Sequence, residues 1–397
     1  MSIILKKHNE SFVFTGIAKL GFVNFAMALA VASITTVWSL YIKEFVDTSS
    51  QVGFVSALLA VVAFVSYFIF VPLIENFPKK KLYFYCLFLT ILFYISFYFI
   101  NNFSFFILVA FVFTIVATLR ITSLGIIIRN ISKDRNLSRN EGLIYTFLNS
   151  GWIIGPLIAG YLSVAYGIKS VFLLSAFFAS IALYLFYSAN FRFKEMNSKK
   201  VHNFSENFKD YCKSKNRIYS YLIRAGVSFW WVLIYVFIPL YIVDNGLSNI
   251  LVGYFLFAIP IPLILVEYKF SKFAGKYGFK KLFKIGFLSV AIISLACFFV
   301  QSIYFVLGLL ILASFGMALL EPTTEAYFFH TVKKEDEARF YGPYNTSGDS
   351  GNFFAKIFAS FVLAFLSFKF IFILFSVMMF LFFVLSFRMQ EFVEQKK

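Results

Sequence analysis

Long apolar runs separated by short polar connections make up almost the whole chain. Each run has close to the 20 residues that a helix needs to cross about 30 Å of hydrocarbon. The runs are continuous, whereas the strands of a membrane barrel alternate between apolar and polar positions. The pattern predicts an all-α membrane protein with twelve transmembrane helices, near residues 17–42, 51–74, 82–101, 103–128, 143–165, 169–190, 219–243, 250–268, 282–301, 304–328, 345–366 and 369–387.

The polar connections are of two kinds, because Lys and Arg fall almost wholly in every second one. Basic residues remain on the cytoplasmic side of a membrane protein during insertion. The pattern therefore predicts a multi-pass protein of the cell membrane with both termini in the cytoplasm. It also assigns the net charge of +17 to that face of the lipid bilayer, so no nucleic-acid partner is expected.

Composition narrows the function classes. Hydrophobic residues make up 60% of the chain and charged residues 14%, compared with roughly 45–50% and about 25% in soluble domains. Cys86, Cys212 and Cys297 are scattered singly, and the His residues form no cluster, so no metal site is predicted. The connections hold no nucleotide-binding loop and no catalytic set. The sequence thus predicts neither an enzyme nor a cofactor.

The two halves of the chain are related by a shift of 200 positions. Lys80-Lys81-Leu82 then meets Lys280-Lys281-Leu282, and Lys169 meets Lys369. Matches of charged residues carry more weight than apolar matches in so Phe-rich a chain. A parallel repeat of this kind predicts two pseudo-symmetric six-helix bundles with a cavity between them near the midplane.

The longest polar stretch divides the chain almost at its midpoint. It is rich in Lys, Ser and Asn, as expected of a connection between domains. The predicted domains are an N-terminal six-helix bundle over residues 1–190, a cytoplasmic linker over 191–217 and a C-terminal six-helix bundle over 218–397.

Two related loop segments, Val71–Lys80 and Ser271–Lys280, resemble the loop motif of the major facilitator superfamily. A short turn with a carboxylate and cations suits a gate that holds cytoplasmic helix ends together. The alternative is that the Lys residues only set the topology. The residues that match the motif in the two copies are Glu75, Lys79 and Lys80, then Lys276, Gly278 and Lys280.

The fifth predicted helix carries a glycine pattern similar to the antiporter-associated motif of the same family. Glycines at such spacings let a neighbouring helix approach closely, and the proline bends the helix. The resemblance covers the whole chain, is closest to the drug:proton antiporter-like branch, and implies a transporter with the major facilitator fold. Simple helix packing is the alternative role of the pattern, which comprises Gly142, Gly151, Gly155, Pro156 and Gly160.

Five charged residues fall inside the predicted helices: Arg120, Glu321, Glu325, Asp349 and Lys356. Each would cost about 2.5–3.5 kcal/mol at a lipid-facing helix centre, so they are expected to face one another or a wet cavity. Our hypothesis is a protonatable site formed by the three acids and balanced by Lys356 or Arg120. The family resemblance implies a part in proton coupling for Arg120. The alternative is a salt-bridge cluster that only holds a cytoplasmic gate shut.

Polar and amphipathic residues on helices that line the cavity of this family are weaker candidates for a substrate site: Asn24, Thr36, Asn149, Trp152 and Trp231. The favoured function is proton-coupled efflux of an amphipathic small molecule by alternating access, carried out by a monomer. Uptake of a sugar, organic acid or amino acid by symport or uniport is the first alternative. A polytopic receptor or membrane enzyme is the alternative from another class.

Overall fold

The computed structural model describes residues 16–73, 77–131, 137–191, 204–266 and 277–392. Regular structure within these ranges is helical throughout, as the apolar runs predict. The helices of the first half are α1 (Gly16–Lys43), α2 (Ser49–Leu73), α3 (Lys79–Phe99), α4 (Phe103–Ile131), α5 (Leu137–Tyr166) and α6 (Ser170–Ser188).

The second half repeats this order after a short additional helix. Its helices are α7 (Phe204–Cys212), α8 (Lys215–Val232), α9 (Ile238–Asp244), α10 (Asn249–Ala258), α11 (Phe279–Phe299), α12 (Ile303–Thr331), α13 (Glu337–Phe365) and α14 (Phe370–Ser386). A single π-helical turn, Leu233–Phe237, joins α8 to α9, so these three elements form one span. The α10 helix resumes after a turn at Ile259 and Pro260, and its span ends at Val266.

Twelve spans are present in the described part of the chain. Ten of them are long and apolar enough to cross a membrane by length and composition alone. The eleventh is the shorter apolar helix Phe370–Ser386. The twelfth is α13, which falls outside that criterion because its polar residues, Asp349 and Lys356 among them, lower its mean hydropathy. These two helices complete the second bundle, so the predicted fold class is confirmed.

Several helices extend beyond the apolar runs that predict them. α5 begins at Leu137 and α13 at Glu337, each well before its hydrophobic run. Residues 191–217, predicted as a linker, contain α7 and the first turn of α8. The reason is that hydropathy falls where the chain leaves the hydrocarbon, whereas helical hydrogen bonding continues into the polar residues that follow.

The two ends of the spans define two faces of the molecule. We call the end that holds α7 the linker face, and the opposite end, where α1 ends and α2 begins, the distal face. In the first bundle α1 packs on α5 and α6, and in the second α11 packs on α12 and α14. The bundles meet along α2 against α13 and α5 against α10.

The 200-residue repeat extends to individual contacts. The rings of Tyr41 and Phe172 lie 4.5 Å apart between centroids, and those of Tyr241 and Phe372 lie 5.7 Å apart. Each residue of the first pair thus has its counterpart 200 positions later. This contact is therefore repeated at equivalent positions in the two halves, as the predicted pseudo-symmetry requires.

Candidate functional site

Three aromatic rings form a cluster across the bundle interface. Trp152 lies at the midpoint of α5, in the first bundle, and its ring centroid is 5.4 Å from that of Tyr235 in the second. Trp231 stacks on Tyr235, at 5.4 Å with an interplanar angle of 23°. Trp152 and Trp231 are predicted cavity residues, whereas the sequence reasoning missed Tyr235. Tyr235 lies in the π turn, which directs its ring to the bundle interface, and such turns occur frequently at functional sites.

Glu321 of α12 lies beside this cluster. The half-buried carboxylate acts electrostatically on Tyr235. Pro322 follows it inside the helix. The aromatic rings and Glu321 together form a site with flat apolar surfaces and one acid. Because Trp152 lies at the midpoint of α5, the site lies near the middle of the span. We call these four residues the aromatic–acid site.

A second polar cluster lies nearer the linker face, within the second bundle. Tyr341 of α13 donates a hydrogen bond to Glu325 Oε1 at 2.6 Å. Arg224 of α8 lies with its guanidinium carbon 5.1 Å from the centre of the Tyr344 ring, and its charge acts on Glu325. Arg224 lies inside the seventh predicted span, so its burial could have been predicted, but the sequence reasoning did not include it in the site.

Asp349 links this cluster to the first bundle. The positive charges of Lys356 and Arg224 both act on its carboxylate, with Lys356 the stronger. Asp349 and Arg224 in turn act on Tyr67 of α2. Three of the predicted charged residues, Glu325, Asp349 and Lys356, thus lie in one network, and Arg224 supplies the second cation.

Arg120 lies elsewhere, in the first bundle. It is 7% exposed, and its charge acts on Tyr83, Cys86 and Tyr94 of α3. In the described part of the chain no group accepts a hydrogen bond from its Nε. The structure therefore places Arg224, rather than Arg120, beside Asp349.

The remaining cavity candidates differ in their surroundings. Asn149 is exposed and lies one turn before Trp152 on the same face of α5. Asn24 and Thr36 are buried, and each donates a hydrogen bond to its own helix, to Leu20 O at 2.9 Å and to Ala32 O at 2.8 Å respectively. Asn149 thus adjoins the aromatic–acid site, and α1 uses its two polar groups internally.

The glycine pattern of α5 packs in two directions. A Cβ on Gly151 would lie 2.6 Å from Ala28 Cβ, and one on Gly155 would lie 2.8 Å from Ala32 Cβ, so these positions allow close packing on α1. Gly160 faces the other way, because a Cβ there would lie 3.1 Å from Gly253 Cα in the second bundle.

Two members of the pattern need separate mention. Pro156 lies inside α5, and a Cβ on Gly253 would lie 2.7 Å from its carbonyl oxygen. Gly142 lies in the first part of α5, and its contacts fall outside the described residues. The pattern therefore serves both the first bundle and the bundle interface.

The first copy of the loop motif joins helix ends within its own bundle. Lys80 donates hydrogen bonds to Phe191 O at 3.1 Å and to Asn190 Oδ1 at 3.5 Å, which connects the start of α3 to the end of α6. Lys79 donates to Phe77 O at 3.0 Å. Glu75 lies outside the described residues.

The second copy makes the corresponding contact. Glu391, 200 positions after Phe191, accepts a hydrogen bond from the Lys280 N–H at 3.3 Å. Gly278 has φ +88 and touches the same carboxylate, so a side chain there would be strained. Lys276 lies outside the described residues. These contacts connect helices of one bundle, and a gating role for the motif stays a prediction.

Polar contacts connect the two bundles at the distal face. Lys43, at the end of α1, forms an ion pair with Asp244 at the end of α9. Ser49 donates a hydrogen bond to Asp244 Oδ2 at 2.7 Å, and Ser50 donates one to Ser360 O at 2.8 Å. Together with the α5–α10 contact, they hold the two bundles together at this face.

The family model of the Major Facilitator Superfamily matches residues 20–268 and 261–397, which together are nearly the whole chain. The chain belongs to the Major Facilitator Superfamily. It is therefore a transporter rather than an enzyme, and the superfamily resemblance seen in its motifs is confirmed. Its likeness to the antiporter branch stays a prediction. No protein of curated function matches the sequence.

Solved structures with the same fold include transporters of small solutes. A POT family transporter in complex with 5-aminolevulinic acid superposes with a TM-score of 0.77 at 13% identity, over 94% of this chain and 95% of that one. A POT family transporter in complex with a thioalcohol-conjugated peptide gives 0.75 at 14%, over 94% and 95%. A mutant of the nucleoside transporter NupG gives 0.73 at 13%, over 94% and 99%. At such low identity the likeness concerns the fold of this transporter.

Proposed function

We propose that this transporter exports an amphipathic organic cation in exchange for protons. The observation that carries the proposal is the aromatic–acid site, in which the rings of Trp152 and Trp231 contact that of Tyr235 and the charge of Glu321 acts on Tyr235. Faces of aromatic rings attract cations and stack on flat apolar groups. A carboxylate next to them adds a full negative charge where water is scarce.

Alternating access requires that the site be reached from one face at a time. The site is formed by residues of both bundles, so a rocking motion of the bundles changes its geometry. The ion pair of Lys43 and Asp244 closes the distal face, which supports access from the linker face in this conformation. We propose that the linker face is the cytoplasmic face of the cell membrane, that both termini lie there, and that the transporter works as a monomer.

Protons are the proposed coupling ion because the carboxyl groups inside the membrane are placed to carry them. Acidic residues at this depth mark proton relays and substrate pathways. Glu321 adjoins the substrate position, and Asp349 lies in the network with Arg224 and Lys356. A site that holds either the cation or a proton, but not both, exchanges one for the other.

Flux into proteoliposomes tests the proposal. With an acidic lumen, an exchanger moves protons out and accumulates a fluorescent aromatic quaternary ammonium ion in the lumen. The accumulation should collapse when a protonophore removes the gradient. Liposomes without protein serve as the control for passive entry. Absence of gradient-dependent flux across a panel of such cations would reject the cation-exchange mechanism.

Proton-coupled uptake of a zwitterionic solute is the second candidate function. The solved neighbours bind 5-aminolevulinic acid and a peptide conjugate, and Arg224 and Glu325 place both signs of charge in one cluster. The direction of the gradient separates the two candidates. A symporter accumulates its solute in an alkaline lumen, and an exchanger accumulates it in an acidic lumen.

A further inference from the structure

An apolar cleft of about 330 Å³ opens on the outer surface of the second bundle, between α8, α13 and α14. Its floor is formed by Ala225 and Gly351. A Cβ on Gly351 would lie 2.3 Å from the Ala225 carbonyl oxygen, so the two backbones touch at the floor of the cleft. Aromatic side chains form the walls, among them Phe354 and Phe358, which are 50% and 39% exposed.

Two exposed cations stand where the cleft reaches the linker face. On α8, Lys215 lies seven residues, or two turns, before Leu222, the lining residue nearest that end. On α14, Arg388 follows the lining residue Leu385, and its N–H donates to Leu385 O at 3.0 Å, so the helical turn continues to it. Lys215 and Arg388 are both exposed.

The same end of the cleft is held together by a hydrogen bond between the two helix ends. Asn216 Nδ2 donates to Gln390 Oε1 at 2.5 Å. This contact fixes the chain next to Lys215 against the chain next to Arg388. In the described part of the chain neither cation forms an ion pair, so both charges face outward, available to an anion.

We propose that this cleft binds one anionic phospholipid, with an acyl chain in the cleft and the phosphate between Lys215 and Arg388. Helical rise puts Leu222 roughly 10 Å deeper than Lys215, so the cations lie at headgroup level when the cleft lies among the acyl chains. Basic side chains at that level attract anionic headgroups. The cleft lining contains no carboxylate that would oppose the phosphate.

Two other occupants are distinguishable in their chemistry. A free phosphate ion would use the cations but gain nothing from an apolar cleft. A neutral lipid or a hydrophobic solute would fill the cleft but gain nothing from Lys215 and Arg388. The arrangement favours a molecule with both parts.

Lipid retention by the purified full-length chain tests the proposal without any transport assay, so its outcome is independent of the proposed function. Native mass spectrometry would count phosphatidylglycerol and phosphatidylcholine molecules bound after delipidation and addition of equal amounts. The expected result is one phosphatidylglycerol retained in preference to phosphatidylcholine, by at least about tenfold. Equal retention of the two lipids would overturn the proposal.

Matched variants locate the site. The double substitution Lys215→Gln and Arg388→Gln should remove the preference. The control, Lys333→Gln with Lys334→Gln, removes two exposed cations from the same face and should preserve it. Met378→Trp, which fills the cleft, should lower retention of both lipids.

Loss of the preference in the control, or no effect of either test variant, would contradict the assignment. Displacement by inorganic phosphate with no effect of Met378→Trp would indicate an anion site only and overturn the lipid proposal.

Discussion

Individual residues show how this transporter accommodates charged side chains inside the membrane. A charge at a lipid-facing helix centre costs about 2.5–3.5 kcal/mol. The positive charges of Lys356 and Arg224 act on Asp349 and offset part of this cost, and Glu325 accepts a hydrogen bond from Tyr341. Removing one partner of such a set leaves the other uncompensated, so these residues are interdependent.

Glu321 is expected to set the response to pH. Glu321→Gln removes the titratable group beside Tyr235 while preserving its shape, so solute flux should no longer respond to an imposed pH gradient. Glu321→Asp restores the group and should recover part of the response. Flux into proteoliposomes at several gradients measures this. As a control, Glu335→Gln removes an exposed acid from the connection before α13, and the wild-type response is expected. A fully gradient-dependent Glu321→Gln variant would refute the role.

Tyr235 is expected to contribute binding through its ring. Tyr235→Ala removes the ring that contacts both Trp152 and Trp231 and should weaken solute binding by about tenfold, the size of one favourable aromatic or cation–π contact. Tyr235→Phe keeps the ring and should bind nearly as the wild type. Quenching of Trp fluorescence on titration with the solute gives the affinity. Tyr184→Ala, at a position 69% exposed on the bundle surface, serves as the control.

At this scale the sequence predicts some residues and misses others for a definite reason. Trp152 and Trp231 are rare amphipathic side chains in apolar helices, and charged residues in such helices stand out. Tyr235 is one of 23 Tyr residues, and only the π turn and the packing of α5 show that it faces the interface. The electrostatic interaction of Arg224 with Glu325 depends on tertiary packing, which the sequence alone does not show.

Among the elements, α5 depends on small residues where it crosses α1. Gly151→Ala should destabilise the fold because the new Cβ would lie 2.9 Å from the Leu29 backbone nitrogen, and a backbone cannot move aside as a side chain can. Gly125→Ala is the matched control, since no atom lies within 4 Å of its added Cβ. It should be neutral or stabilising by about 0.5–1 kcal/mol. Thermal unfolding in detergent compares the two, and equal midpoints would contradict this account of the motif.

The α7 helix bridges the two bundles at the linker face. Phe204 and Phe208 pack on Phe68 of α2, with ring centroids 4.8 Å and 5.8 Å away. On the other side Asp210 forms an ion pair with Arg339 of α13. The short helix is thus positioned to follow the relative motion of the bundles.

Docking of α7 is expected to depend on pH. The hydrogen bond from Lys213, and then the charge of Arg339, lower the pKa of Asp210 below its ordinary value. Because the pKa is lowered, the carboxylate stabilises docking fully when the pH is above the ordinary pKa of Asp. This contribution is lost as pH falls through the lowered pKa. The protection factor for hydrogen–deuterium exchange in residues 204–212, which corrects for the intrinsic pH dependence of amide exchange, should therefore fall at strongly acidic pH.

Two substitutions check the origin of that effect. Asp210→Asn should quicken exchange in α7 already at neutral pH, because the ion pair with Arg339 is lost. Glu206→Gln removes an exposed acid from the same helix and should leave exchange unchanged. If both variants behave as the wild type, the Asp210 contact does not hold the helix.

The elements themselves were largely predictable, and their ends were not. The number of spans follows from the apolar runs of the sequence, and the run at 345–366 predicts α13 although that helix also carries charged residues. The start of α13 at Glu337 and the presence of α7 depend on contacts of polar residues, such as Asp210 with Arg339, which leave no mark on hydropathy.

In the whole molecule, the repeat could be predicted but the conformation could not. A shift of 200 positions is visible in the sequence and recurs in the contacts of Tyr41 and Tyr241. Which face is closed depends on pairs such as Lys43 and Asp244, 201 positions apart. A single sequence does not reveal such pairing, because each residue alone reads as an ordinary polar residue at a helix end.

Asp244 is expected to control opening at the distal face. Asp244→Asn removes the ion pair with Lys43, so the population open to that face should rise. Reaction of Asn149→Cys with an impermeant maleimide added on the distal side measures this, and its rate should increase several-fold. Asp47→Asn, at an exposed position on the same face, is the control. An unchanged rate in Asp244→Asn would show that other contacts hold the face closed.

The Lys43–Asp244 pair has a consequence for the medium in which the transporter works. Its side chains are 27% and 30% exposed, so dissolved ions reach them. The screening length falls from about 10 Å at 0.1 M salt to about 3 Å at 1 M, and the attraction between the two charges falls with it. Turnover limited by opening of this face should therefore rise with the salt concentration at the distal face, so the ionic strength on that side of the membrane would regulate the carrier.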